Sequence, residues 1–192
     1  GIHAMSKSTC SSLMDSGVQA RSVPWLVEVL GIAGLLFVGA LVRVPLPFTP
    51  APITLQTLVV LTVPFLSGRG RALSGIALYL VLGLVAQGAG VSLFAVGSSA
   101  TYGYLAGFLL APLVMHPFPR TAAGIALAML LASLMILLLG TLWLWFLLGG
   151  AFSHALALGF APFVVGDAVK AGMAYALVKR RTGVELKSPP HS

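Results

Sequence analysis

Asp167 and Lys170 stand three residues apart inside an apolar stretch, 161–177, that otherwise reads as membrane-spanning. On a helix that spacing places both side chains on one face. A charge at bilayer depth costs from about 3 kcal/mol upward, and such residues face a bundle interior or a watery cavity. Together they offer an ionised acceptor and an ammonium with three donors, the chemistry of a polar clamp for a small solute. Two other roles are open to them. The pair could be a structural ion pair that keeps helices in register, or Asp167 could relay protons in a secondary transporter of a small anionic solute.

Other chemistries find little support. The four histidines, His3, His116, His154 and His191, are isolated, and Cys10 is the single cysteine, so no metal site is expected. Ser98 or Ser99 with His154 would be the material of a serine hydrolase. However, Gly97-Ser-Ser-Ala100 lacks a GxSG core, so no catalytic residue is expected. No GxxxxGK[ST] phosphate loop occurs, so this chain needs no nucleotide cofactor of its own and any ATP must be used by partner subunits.

The composition says what must position the pair. Of 192 residues 58% are hydrophobic and 8% charged, against about 25% charged in soluble domains, which predicts a multi-pass membrane protein in contact with lipid. The net charge of +7 is scattered in ones, twos and threes with no basic stripe, so nucleic acid is not an expected partner. Gly1 to Ala4 read as a cloning scar before Met5, and residues 1–22 as a polar tail. Residues 23–181 read as the membrane domain and 182–192 as a second polar tail.

Within that domain apolar runs predict six spans, at 24–42, 53–66, 71–87, 101–115, 121–148 and from 162 onward. Gly140 is a possible bend in the long fifth span, and Glu28 is expected to reach water at the edge of the first. Six spans put both termini on one side, together with Lys7, Arg21, Arg69, Arg71, Arg120, Lys179, Arg180, Arg181 and Lys187. The other side holds only Arg43. Positive residues favour the cytoplasm, so both termini are expected there.

Three irregular segments then fall on the outer side: a proline loop at 44–52, a Gly/Ser-rich loop at 88–100 and a glycine-containing re-entry segment at 149–160. Pro45, Pro47, Pro50 and Pro52 exclude an internal helix from the first. Thr54, Gln56 and Thr57 follow it as an unusually polar first turn. The fold class expected is therefore an all-α membrane protein with six helices, whose irregular outer loops cap a ligand pocket above Asp167 and Lys170.

Two stretches carry a family resemblance. Val44-Pro-Leu-Pro-Phe-Thr-Pro-Ala-Pro-Ile-Thr-Leu-Gln-Thr57 resembles the signature of BioY proteins, and Pro162-Phe-Val-Val-Gly-Asp-Ala-Val-Lys170 is similar to their last-helix PFxxGDxxK pattern. Gly68-Arg-Gly-Arg-Ala-Leu73 and Tyr102-Gly-Tyr-Leu-Ala-Gly-Phe108 keep the same order, and the likeness runs over most of residues 24–181. Ser99-Ala-Thr-Tyr-Gly-Tyr104 stands where the family has GPTGGY.

The resemblance implies the biotin-binding S component of an energy-coupling-factor (ECF) vitamin transporter in a bacterial plasma membrane. It implies a transmembrane T component and two ATPase subunits as partners. Asp167 and Lys170 carry over as biotin contacts, and Thr54 and Gln56 as further polar positions. Phe48, Ser92 and Tyr104 are expected to help cover the vitamin. Docking through small residues of the first helix would use Gly31, Ala33, Gly34 and Ala40, which lack the AxxxA spacing of S components.

Overall fold

The structure is a computed structural model and describes residues 24–91 and 99–183. Among the described residues seven α-helices follow in order: α1 (Trp25–Leu41), α2 (Gln56–Ser67), α3 (Arg69–Gly88), α4 (Tyr102–Met115), α5 (Ala122–Leu148), α6 (Phe152–Gly159) and α7 (Ala161–Thr182). The six expected spans correspond to α1–α5 and α7. Helix α3, helix α5 and the joined stretch Phe152–Thr182 are long and apolar enough to cross a bilayer, whereas α1, α2 and α4 are shorter apolar helices. The outer faces are greasy, with Leu30, Val85, Phe146 and Val165 among many exposed apolar side chains. That pattern belongs to a protein surrounded by lipid, and the chain is a multi-pass membrane protein.

Helix α2 sits at the centre, packed against α1, α3, α4, α5 and α7. Its residues Val60 to Phe65 are all buried, Pro64 included. Twelve residues rise only about 18 Å, against a hydrocarbon thickness of about 30 Å. Roughly 12 Å of that thickness must therefore be met by something other than this helix. The proline loop leads into its first turn. Arg43–Val44 (β1) pairs antiparallel with Ile53–Thr54 (β2), closing the loop at its base, a ribbon that the spacing of prolines does not reveal. The Leu55 amide donates to the Gly39 carbonyl at 3.2 Å, tying the end of the loop to α1. Non-helical backbone at such a depth is tolerated only where protein or a cavity covers it.

The expected re-entry segment instead holds a helix, α6, which follows the left-handed Gly149 that ends α5 and is separated from α7 by Phe160 alone. Gly140 lies within α5, which is one continuous helix. It makes a socket, because a Cβ at Gly140 would collide with the ring of Tyr104 on α4. Gly107 works the same way in reverse: a Cβ there would lie 2.8 Å from Ile136 Cα on α5. Small residues let helix backbones approach closely where lipid gives no hydrophobic drive to associate.

Glu28 is paired rather than free in water. Both of its carboxylate oxygens lie 3.1 Å from one Arg71 nitrogen, joining the start of α1 to the start of α3. The chain alternates direction between spans, so this end also collects Arg69, His116, Arg120 and the Lys179-Arg-Arg181 run. The expected small-residue face of α1 divides. Ala33 and Ala40 are buried inside the bundle. Gly31 and Gly34 open outward, with nothing within 4 Å of an added Cβ.

Because α4 and α5 meet through Gly107, Gly107→Leu is expected to lower the unfolding temperature in detergent, by an overpacking cost of about 1–3 kcal/mol. An unchanged melting curve would refute this account of the contact.

Candidate functional site

The buried polar residues of the bundle converge on one place. Asp167 and Lys170 are 4% and 6% exposed, and Lys170 Nζ donates to Asp167 Oδ1 at 2.6 Å. Pro162 in the first turn of α7 suits a helix start because its missing N–H needs no partner there. From that start the next two turns deliver Phe163, Asp167 and Lys170 to the inner face. Among the described residues the pair makes this single bond. The second carboxylate oxygen and two ammonium hydrogens are therefore unspent.

Both side chains open on a cleft of about 520 Å³, counted to its open mouth. Its roof is the end of the proline loop, Ala51 and Pro52. One wall is the polar turn that starts α2, Thr54, Gln56 and Thr57. The other is apolar, with Tyr104, Phe108, Leu137 and Phe163. A ligand held here would meet charge and amide on one flank and rings on the other.

Gln56 is the most exacting member. It is only 2% exposed, its Oε1 accepts from the Thr54 hydroxyl at 3.3 Å, and its Nε2 has no partner. A buried donor left unpaired costs about 1–3 kcal/mol. Gly39 allows this arrangement, since a Cβ there would stand 3.2 Å from the Gln56 backbone nitrogen. The α2 N-terminus is pressed against α1, and its glutamine is held into the cleft.

Tyr104 is fixed from three sides. Its hydroxyl donates to the Gly159 carbonyl at 2.6 Å, its ring fills the Gly140 socket, and Phe163 lies 5.7 Å away between ring centres. This ties α4, α5, α6 and α7 together at the cleft wall. Two further hydrogen bonds join the helices beside this wall. The Trp143 indole donates to the Ser99 carbonyl at 2.6 Å, and the Tyr102 hydroxyl donates to Gln87 Oε1 at 3.0 Å.

The structure thus brings together Asp167, Lys170, Thr54, Gln56 and Tyr104. It does not bring Phe48 to them: that ring sits on a turn of the proline loop, 56% exposed and outside the cleft lining. Ser92 lies outside the described residues. Sequence reasoning missed Phe163, Phe108 and Leu137. The PFxxGD motif held the signal for the first, because a residue four before Asp167 shares its helix face. No group of three or more metal-ligating side chains occurs among the described residues.

The BioY family model matches residues 9–184. The biotin transporter BioY2 of Lactococcus lactis subsp. cremoris is 34% identical over 149 residues, covering 72% of this chain and 80% of that one. A probable biotin transporter BioY of Pyrococcus horikoshii is 31% identical over 155 residues, covering 78% and 90%. Among solved structures, the S component for biotin from an ECF-type ABC transporter superposes with a TM-score of 0.74. It is 21% identical and covers 86% of this chain and 94% of that one. The S component of a bacterial ECF transporter gives 0.59 at 18% identity, covering 85% and 98%. At such identities the superpositions establish the shared fold.

Removing one partner of a buried ion pair strands the other charge, whereas removing both does not. Asp167→Asn is therefore expected to destabilise the ligand-free protein by about 3–5 kcal/mol. Asp167→Asn with Lys170→Met should recover part of that loss in thermal unfolding. A double variant less stable than the single one would contradict the pairing.

Proposed function

This chain belongs to the BioY family, and from that premise we propose that it captures biotin at the Asp167–Lys170 cleft for uptake, as the substrate-specific S component of an ECF-type transporter. The observation that carries the site is the cluster of unspent polar atoms in an otherwise apolar cleft. Among the described residues these are the Gln56 amide nitrogen, which has no partner, and the second oxygen of Asp167 and the remaining donors of Lys170, which make no bond beyond their mutual one.

Biotin has the complementary inventory. Its ureido N–H groups need acceptors, and Asp167 is the charged one. Its ureido oxygen and its carboxylate need donors, which Lys170 and Gln56 supply. A hydrogen bond to a charged group contributes about 1.5–3 kcal/mol net. The thioether ring and the aliphatic tail suit the apolar wall of Tyr104, Phe108 and Phe163.

The chain carries no phosphate-binding loop, so energy for release to the inside comes from a T component and two ATPase subunits. The cation-rich end, with Arg69, Arg71, Arg120 and the 179–181 run, faces the cytoplasm of a bacterial inner membrane, and the cleft opens outward. Docking to the T component uses the outward glycines Gly31 and Gly34 of α1.

Purified protein is expected to bind biotin one to one. Asp167→Asn and Lys170→Ala should each weaken binding at least about tenfold, the loss of one charge-assisted bond. Gln56→Leu should also weaken it, with little loss of stability because it breaks no ion pair. Wild-type affinity in any folded variant of the three would remove that residue from the site, and wild-type affinity in both charge variants would overturn the reading.

A further inference from the structure

A second cleft lies at the opposite end of the bundle, between α2 and α4, with about 490 Å³ of space counted to its mouth. Its floor is apolar and buried: Pro64 and Phe65 from α2, Pro112 and Met115 from α4. Its rim is cationic and exposed: Arg69 at the start of α3, and His116 and Arg120 from the α4–α5 connection. These groups come from separate stretches of chain that the Gly68 turn and the 116–121 connection bring to one mouth.

Nothing within the described protein neutralises that rim. Its acids are Glu28 and Asp167, and each is already paired, with Arg71 and with Lys170. Arg69 and Arg120 take part in neither pair. A bound counter-charge would come from outside the described residues, and the apolar floor beneath the rim points to the kind of molecule that brings it. A free anion would use the guanidinium groups and leave the floor bare. A molecule with a phosphate head and a hydrocarbon body satisfies both.

We propose that this cleft is a binding site for the phosphate headgroup of an anionic phospholipid in the leaflet at that end. The phosphate lies between Arg69 and Arg120, guanidinium forks being suited to phosphate oxygens, and His116 can add a ring nitrogen. The glycerol and upper acyl chain lie over Pro64, Pro112 and Met115. Basic pockets between transmembrane helices on the cytoplasmic side are a recognised place for such headgroups, and a juxtamembrane arginine raises affinity for anionic lipid about fivefold. This inference does not depend on what the first cleft binds.

The full chain, purified in detergent and mixed with equal amounts of phosphatidylglycerol and phosphatidylcholine, tests it through native mass spectrometry of the retained lipid. Wild type should retain phosphatidylglycerol at least about fivefold over phosphatidylcholine. Arg69→Gln with Arg120→Gln should abolish that preference while leaving the unfolding temperature in detergent unchanged. The charge-matched control, Lys179→Gln with Arg180→Gln, should keep it. A preference that survives in the first double variant, or that is lost equally in the control, overturns the site. Loss of bound lipid on adding excess inorganic phosphate, against chloride at matched ionic strength, would assign the cleft to the free anion and overturn the lipid as its source.

Discussion

The buried bond between Asp167 and Lys170 sets the terms for the rest of the structure. Two charges removed from water carry a desolvation penalty of several kcal/mol each, and a single 2.6 Å contact does not discharge all their hydrogen-bonding capacity. The fold must supply a polar, covered space at that depth. It does so by shortening the central helix. α2 is shorter than a full span, and the proline loop, closed by its two-residue ribbon, leads into its first turn and roofs the cleft with Ala51 and Pro52. The same shortening brings Gln56 into the space with its amide nitrogen unpaired. Ion pair, short helix and proline loop are one arrangement seen from three sides.

The opposite wall is held by close contacts. Gly140 admits the Tyr104 ring, and the Tyr104 hydroxyl fastens α6 through the Gly159 carbonyl. α6 in turn is separated from α7 by one residue, so the helix that carries Asp167 and Lys170 is positioned by a chain of contacts starting on α4. A rigid wall facing a polar one is the form that discriminating small-molecule sites take, because groups held in place need not be ordered on binding.

Much of this was legible in the sequence, for identifiable reasons. Apolar runs of spanning length locate the helices, because a bilayer imposes its thickness on them. Asp167, Lys170, Thr54 and Gln56 stand out because polarity inside such runs is costly. Contacts across the bundle were not legible. The Glu28–Arg71 pair joins residues 43 apart, and nothing local to Glu28 announces it. Gly140 carries the same letter whether it bends a helix or receives a ring. α6 was hidden because Gly149, Gly150 and Gly159 crowd an eight-residue helix and mimic a loop. The small residues of α1 could not be divided into inward Ala33 and Ala40 and outward Gly31 and Gly34 without the neighbours that cover the first two.

The most direct measurement is an experimental structure of the full chain with biotin bound, at a resolution that resolves the ureido ring. The account predicts biotin beneath the proline loop, with its polar atoms within about 3.2 Å of Asp167, Lys170 and the Gln56 amide, and its thioether ring against Tyr104 and Phe163. Biotin bound elsewhere, or a cleft whose Asp167–Lys170 bond stays closed without touching the vitamin, would contradict it.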